Sequence, residues 1–332
     1  MTDQKEVKLQ EVQKVLDSVF IRHSAFKTIK SQFDECLNSY TGHGEPICML
    51  VHGHSGVGKT TLASSYLADY PPVYLEERKI VPVLNAVIPV PATMKNMASE
   101  LLEKLGDPYS DRGTLEQRTK RLRKLLKECK TELIILDEFQ HFIDRKSERV
   151  ILDVSDWLKN LISNTSIPVV LVGLSYSREV LFANEQLMRR FSYQAEMKPF
   201  SWDDEHSRKE FVKILSVIDR ELENVFGNKA GFTNYANRFY AATKGLIALM
   251  IKLIRGSARE AVVSASDRIE LRHLAKAYKD RLLTNNEMAN PFSSNWDGEY
   301  ADPLPEIRHL GGNMAAARML EKRSLSNVLS TR

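Results

Sequence analysis

Cysteine is scarce in this chain: three occur among 332 residues, Cys36, Cys48 and Cys129. They have neither pairing arithmetic nor Cys-x-x-Cys spacing, which excludes a disulfide framework and fits a reducing cytoplasm. The eight histidines add no His-Glu-x-x-His and no clustered Cys/His spacing, so a metal held by the protein alone is not expected. Long apolar runs are missing as well. The longest fall far short of the about 20 residues that span a bilayer. Residues 1–16 are charged, without the apolar centre and small-residue cleavage site of a secretory signal. A cytoplasmic protein with no membrane partner is expected. Strong overall charge is absent too, since 47 basic residues meet 43 acidic ones for a net +4. Only a local concentration of base can therefore argue for a nucleic-acid partner. Finally, Gly173-Leu174-Ser175-Tyr176-Ser177 lacks the last glycine of a nucleophile elbow, which sets aside a serine-hydrolase triad.

What the chain does hold is Gly53-His54-Ser55-Gly56-Val57-Gly58-Lys59-Thr60, a match to the phosphate-binding loop Gly-x-x-x-x-Gly-Lys-Ser/Thr. Its glycines let successive backbone N–H groups turn inward on phosphate oxygens, and Lys59 adds a mobile positive charge for the β and γ phosphates. Gly53, His54, Ser55, Gly56, Val57, Gly58, Lys59, Thr60 and Thr61 are the expected nucleotide-binding residues, with the Thr60 hydroxyl on Mg²⁺. The flanks agree, because Ile47-Cys48-Met49-Leu50-Val51-His52 is a short apolar run and residues 60–67 read as a helix. Further on, Leu133-Ile134-Ile135-Leu136 predicts a strand buried on both faces, ending in Asp137 and Glu138. That end is the edge where open α/β sheets bind ligands. Asp137 is expected to hold the metal through water, and Glu138 to orient and polarise the attacking water. ATP and Mg²⁺ are the expected ligands and ATP hydrolysis the expected reaction.

Around these motifs strands and helices alternate. Residues 80–90 predict a second strand and 93–105 a helix. Thr114-Leu115-Glu116-Gln117 is a capping-box pattern that starts a helix at Thr114, whose apolar stripe is Leu115, Leu122, Leu125, Leu126 and Cys129. A helix carrying Val154, Trp157, Leu158, Leu161 and Ile162 precedes another buried strand over 168–173. Such alternation predicts an α/β fold with a parallel sheet flanked by helices. Four segments are expected: a helical lead-in over 1–40 packed on the nucleotide domain, an α/β core over 41–200, a small helical lid over 201–283 and a flexible tail over 284–332. The lead-in carries Phe26, Ile29, Phe33 and Leu37 at helical spacing, and the tail is rich in Asn, Gly, Pro and Ser with little periodicity.

Local charge concentrates in one place. Between Arg112 and Lys130 stand Arg112, Arg118, Lys120, Arg121, Arg123, Lys124, Lys127 and Lys130 against Glu116 and Glu128, an excess of eight minus two, or +6. Leucines take one stripe of this helix, so the charges spread over its other faces, and the amides at the Thr114 helix start offer a further anion site. Contacts of this kind go to phosphates and imply binding that is nearly indifferent to sequence and sensitive to salt.

Five segments in order carry a family resemblance: the phosphate loop, Leu136-Asp137-Glu138-Phe139-Gln140-His141, Trp157-Leu158-Lys159, Pro168-Val169-Val170-Leu171-Val172-Gly173 and Gln186-Leu187-Met188-Arg189-Arg190-Phe191. Over residues 20–282 the chain resembles the TniB/TnsC family of AAA+ transposition regulators. Asn290-Pro291-Phe292 also resembles the end of TnsC proteins, including those of CRISPR-associated transposons. The resemblance implies an AAA+ P-loop ATPase that forms rings or filaments on double-stranded DNA. It would join a target-selection protein of the TniQ type to transposase subunits, with ATP acting mainly as an assembly switch. It also implies that Arg190 reaches the γ-phosphate of a neighbouring subunit, with Arg189 as a second candidate, so that Lys59, Glu138 and Arg190 form the catalytic set. The region between the second strand and the Asp-Glu strand would line the DNA channel, which points to Lys95 and Thr114, then Lys120 and Lys124.

Two positions depart from the family pattern. Leu174 stands where a γ-phosphate-sensing Thr is usual, with Ser175 and Ser177 as substitutes, and Leu249 stands where the lid carries a sensor Arg, with Lys244 and Lys252 nearby. Slow hydrolysis is expected in consequence. Other readings stay open: a replication-type helicase loader of the same ATPase class, a secretion accessory ATPase, and a nucleotide-dependent scaffold with no DNA contact.

Overall fold

The protein is seen in a computed structural model that describes residues 2–18, 24–40, 45–76, 79–143, 148–282 and 289–298. The described residues divide into two compact units, one drawn from 24–197 and the other joining 2–18 to those of 198–298. The helices are α1 (Thr2–Ser18), α2 (Ser24–Asn38), α3 (Lys59–Ala68), α4 (Met94–Leu105), α5 (Leu115–Glu128), α6 (Glu148–Thr165), α7 (Glu179–Phe182), α8 (Glu185–Arg190), α9 (Glu205–Phe226), α10 (Ala236–Thr243), α11 (Ile247–Val263) and α12 (Leu271–Arg281). The strands are β1 (Met49–Gly53), β2 (Val73–Tyr74), β3 (Lys79–Ile80), β4 (Val83–Val87), β5 (Leu133–Asp137), β6 (Val169–Gly173) and β7 (Tyr193–Met197).

In the α/β unit, five strands form one sheet in the order β4-β5-β6-β1-β7, every pair parallel. The central strands β1, β5 and β6 are buried along their whole length. Their unbroken apolar runs follow from cover on both faces, and each buried Leu, Ile or Val contributes about 1.5–3 kcal/mol. Helix α2 packs on β1, β6 and β7, while α3 touches β1, β4, β5 and β6.

Two strands differ from expectation. The strand expected over 80–90 is divided at Pro82 into β3, which pairs antiparallel with β2, and β4, which pairs with β5. Proline has no N–H to give to a ladder, and here its carbonyl instead accepts the backbone N–H groups of Glu132 (2.8 Å) and Leu133 (3.2 Å). Strand β7 carried no signal. Its residues Tyr-Gln-Ala-Glu-Met contain no apolar run, because it is an edge strand in which only Met197 is buried.

The helical unit packs α9, α10, α11 and α12 with α1. The expected lead-in over 1–40 is thus divided: α2 joins the sheet, whereas Val12 and Leu16 of α1 are buried in the core built around Phe211, Leu215, Phe239 and Leu253. Part of the expected flexible tail is also ordered. Phe292, 2 % exposed, sits 5.3 Å from Phe239 and 6.3 Å from Tyr278 between ring centres, and Arg238 Nη1 donates to the carbonyls of Pro291 (2.6 Å) and Ser293 (2.8 Å). A buried aromatic with its flanking carbonyls satisfied offsets the entropy of ordering these residues. Positions 284–288 and 299–332 of that tail lie outside the described residues.

Among the described residues no helix is long and apolar enough to cross a membrane. Nor does any group of three or more His, Cys, Asp or Glu there suit a metal. All three cysteines are free and buried. Burial pushes the thiols of Cys36 and Cys48 up to about 12, so both act as small apolar side chains.

Candidate functional site

The parallel sheet brings the C-terminal ends of β1, β5 and β6 side by side, since β6 pairs with both β1 and β5. Strand β1 ends at Gly53 under the carbonyl of Met197 on β7, and a Cβ at Gly53 would lie 2.1 Å from that oxygen. No other residue fits, so the first glycine of the loop is fixed by its neighbour strand. The loop then turns through Gly58, which has φ 100°, into α3.

Lys59 is the first residue of α3 and is 9 % exposed. Its Nζ folds back into the loop and donates to the carbonyls of Gly53 (3.0 Å) and His54 (2.7 Å). Burial pulls its pKa down, against the opposing pull of Glu138 and Asp137. Thr60 follows, with its side chain hydrogen-bonded to the Asp137 carboxylate. Asp137 itself, 2 % exposed, also accepts the Glu138 backbone N–H at 2.7 Å. Burial raises its pKa, while the two hydrogen bonds and Lys59 work the other way. One cation and two carboxylates therefore share this edge, each bonded within the site. Ser55 and Thr61 are exposed, and His54, Gly56 and Gly58 are half-buried around the loop.

Glu138 adopts φ 57°, ψ 36° at the start of a single 3-10 turn over Phe139–Phe142. The left-handed conformation is uncommon for a side chain of this size and tends to mark a functional turn. Gln140 was legible only as part of the motif, with no role attached. In the structure it is 5 % exposed, donates from Nε2 to the Glu138 carboxylate and accepts the Leu174 backbone N–H on Oε1 at 3.1 Å. One amide thus ties the acid after β5 to the end of β6. His141 Nε2 lies 4.0 Å from the same carboxylate.

The side chain of Leu174 offers no polar group, so at this position only the backbone bonds. Ser177 is buried, and its Oγ has no hydrogen-bond partner among the described residues; Ser175 is half-buried. Lys244, Leu249 and Lys252 all belong to the helical unit.

Of the Arg-Arg pair, Arg190 is engaged within its own unit. Its Nε lies 2.8 Å from a Glu45 carboxylate oxygen, and its Nη1 donates to the carbonyl of Lys159 (3.2 Å) and to Ser163 Oγ (2.9 Å). Arg189 is exposed. The family resemblance puts Arg190 first and Arg189 second, and helix spacing alone does not reveal which of them faces its own fold.

The basic segment forms α5, opened by the expected capping box: Thr114 Oγ1 accepts the Gln117 N–H at 3.3 Å, and Gln117 Oε1 accepts the Thr114 N–H at 2.9 Å. Arg118 is 7 % exposed and donates to the carbonyls of Gly113 (3.0 Å), Lys95 (3.5 Å) and Asp111 and to Ser99 Oγ. It fastens the start of α5 to the start of α4, which brings the Lys95 and Gly113 carbonyls onto one guanidinium. Arg121 is likewise occupied, by Asp107 (3.0 Å) and the carbonyls of Tyr109 (2.6 Å) and Arg112 (3.0 Å). Lys95, Lys120 and Lys124 are exposed, and Lys124 Nζ stands 3.7 Å from Glu128.

Comparison with known proteins starts from the family described as bacterial TniB protein, whose model matches residues 11–201. Subunit 4 of the mouse (Mus musculus) origin recognition complex is 23 % identical over 295 residues, 80 % of this chain and 67 % of that protein. Among solved structures, Cdc6p from Pyrobaculum aerophilum is similar with a TM-score of 0.60 at 16 % identity, covering 82 % of this chain and 71 % of that one. The Aeropyrum pernix ORC1 protein, in complex with DNA, is similar with a TM-score of 0.57 at 18 % identity, covering 80 % and 68 %. At such identities these structures show the fold, which is that of AAA+ ATPases. The family match spans more than half of the chain and takes in the phosphate loop, the Asp-Glu strand and the Arg-Arg helix, and by it this chain belongs to the TniB family.

Proposed function

We propose that this protein is an ATP-dependent regulator of DNA transposition, which assembles on double-stranded DNA and links a TniQ-type target-selection protein to transposase subunits. The observation that carries the reading is the convergence of Lys59, Thr60, Asp137, Glu138 and Gln140 at one sheet edge. Two loop carbonyls now accept from the Lys59 ammonium; a triphosphate offers it stronger, charged acceptors. Thr60 and Asp137 are the groups suited to Mg²⁺, whose charge would offset that building on the phosphates. Glu138, positioned through Gln140, would orient the attacking water. Of the two arginines, Arg189 is the one available to a nucleotide on a neighbouring subunit, since Arg190 would first have to leave Glu45 and α6. Lys95, Thr114, Lys120 and Lys124 would meet the DNA backbone. The TniQ-type and transposase partners, and the tie to CRISPR-associated transposons, rest on the family resemblance.

The test is electron microscopy of the purified protein with a short random duplex in ATP, a non-hydrolysable analogue or ADP at moderate salt. Rings or filaments that need both duplex and triphosphate, and that Lys59→Ala abolishes, are the expected result. Assembly that ignores DNA would overturn it and favour a scaffold ATPase. A helicase-loader reading draws on the likeness to origin-recognition and Cdc6 proteins. Capture of a helicase, with no binding to transposase, would select it.

A further inference from the structure

Away from the sheet edge, the helical unit holds a cavity of about 260 Å³ lined by Leu9, Val12 and Gln13 of α1, Arg255 and Arg259 of α11 and Arg281 of α12. Three arginine side chains line one small space. Arg255 Nη2 pairs with Asp17 at 2.8 Å, and Gln13 donates to the other oxygen of that carboxylate at 2.6 Å. The Nε of Arg255 is buried and has no acceptor among the described residues. Among the described residues Arg259 and Arg281 form no hydrogen bond or ion pair. A buried donor left unmatched costs about 1–3 kcal/mol, more when charged, and three like charges in one cavity repel. The arrangement is therefore incomplete by itself.

The backbone is shaped to keep it so. Gly256 lies between the two α11 arginines, and a Cβ there would be 2.7 Å from Arg281 Cδ and 2.8 Å from its Nε. The stem of Arg281 thus lies against the bare backbone of α11 at Gly256, and the same side chain lines the cavity.

We infer that this cavity is a binding site for a small phosphate monoester. Guanidinium forks match phosphate oxygens in pairs. Three arginines less the Asp17 carboxylate leave a lining charge of +2, which a monoester dianion neutralises and a singly charged diester does not. Leu9 and Val12 give the ester's organic part an apolar wall. The volume falls just below the roughly 300–1,000 Å³ of sites for drug-sized ligands, so a small ester suits it and a whole nucleoside triphosphate does not. The inference stands apart from the ATP reading of the sheet edge.

Isothermal titration of the full chain carrying Lys59→Ala, which disables the phosphate loop, tests it with glycerol 3-phosphate and inorganic phosphate at fixed ionic strength. The expected result is saturable binding of glycerol 3-phosphate, tighter than inorganic phosphate. Affinity should fall at least tenfold in Arg259→Ala/Arg281→Ala and by less in Arg259→Lys, which keeps the charge and loses the fork. Without ligand, the double variant should melt no lower than its parent, because it relieves repulsion. Absence of saturable binding, or binding unchanged in a folded double variant, would overturn the assignment. So would a double variant whose only change is a shallower salt dependence of duplex binding, which would hand these arginines to the DNA backbone.

Discussion

At the sheet edge each charged side chain is held by another group of the site, whereas along α5 half of the basic side chains are exposed. Lys59 bonds to two loop carbonyls, Asp137 to Thr60 and the Glu138 amide, and Glu138 to Gln140. On α5, Arg118 and Arg121 are consumed by the fold, while Lys120, Lys124 and Lys127 are exposed. The contrast separates two uses of charge. Buried, mutually bonded groups act through geometry, and shifting one disturbs the rest. Exposed lysines act through the potential they sum to, so each is worth little and salt weakens all of them.

If that contrast holds, the largest effect belongs to Glu138→Gln, which should retain ATP binding, slow hydrolysis by about 10²–10⁴-fold and trap assemblies; single-turnover kinetics and nucleotide affinity measure the two separately. Next comes Gln140→Ala. It should lower kcat by roughly 10–100-fold through a misdirected carboxylate with KM for ATP nearly unchanged, and an equal rise in KM would show that Gln140 does not act through Glu138.

On α5 the comparison can be sharpened within one helix. Arg118→Ala leaves carbonyls of two helix starts without a donor and should cost about 2–3 kcal/mol, lowering the melting temperature by roughly 5–10 °C. Lys120→Ala/Lys124→Ala should leave melting unchanged and weaken duplex binding, with the slope of log K against log salt shallower by about 1.8 if both meet phosphates. A double variant that binds DNA like its parent would remove these lysines from the interface.

The smallest effect concerns pH. Burial holds the Asp137 pKa above its ordinary 3.8 in the fold, so the native state keeps this proton more tightly than the unfolded chain. Stability from the group is full below 3.8 and is lost as pH rises through the raised value. At neutral pH, Asp137→Asn should therefore raise the melting temperature of the nucleotide-free protein by roughly 2–4 °C while impairing hydrolysis. A fall in melting temperature would mean that the bonds from Thr60 and the Glu138 amide outweigh burial.

Much of this was legible in the sequence, for reasons that particular residues make plain. The placement of the phosphate loop and the Asp-Glu strand was readable because each motif sits in one short segment beside a buried strand. Capping at Thr114 was readable because both partners lie three residues apart. Strand β7 was not, since an edge strand needs no apolar run. The role of Gln140 was hidden because its second partner, Leu174, is 34 residues away. Phe292 was read as part of a flexible tail because its partners Phe239 and Tyr278 come from helices that precede it, beyond the reach of any local pattern.

Arg190 has a mechanical consequence. Besides gripping Glu45 and α6, its carbonyl accepts the backbone N–H of Cys48 at 2.8 Å, so the end of α8 is riveted to the start of β1. That strand runs five residues to Gly53, a stiff rod of about 17 Å. In the proposed assembly, a neighbouring subunit pulling on Arg189 would load one end of the rod, and the phosphate loop sits at the other. Any such coupling must run both ways: the factor by which a bound nucleotide tightens the hold between subunits is the factor by which that hold tightens the binding of the nucleotide.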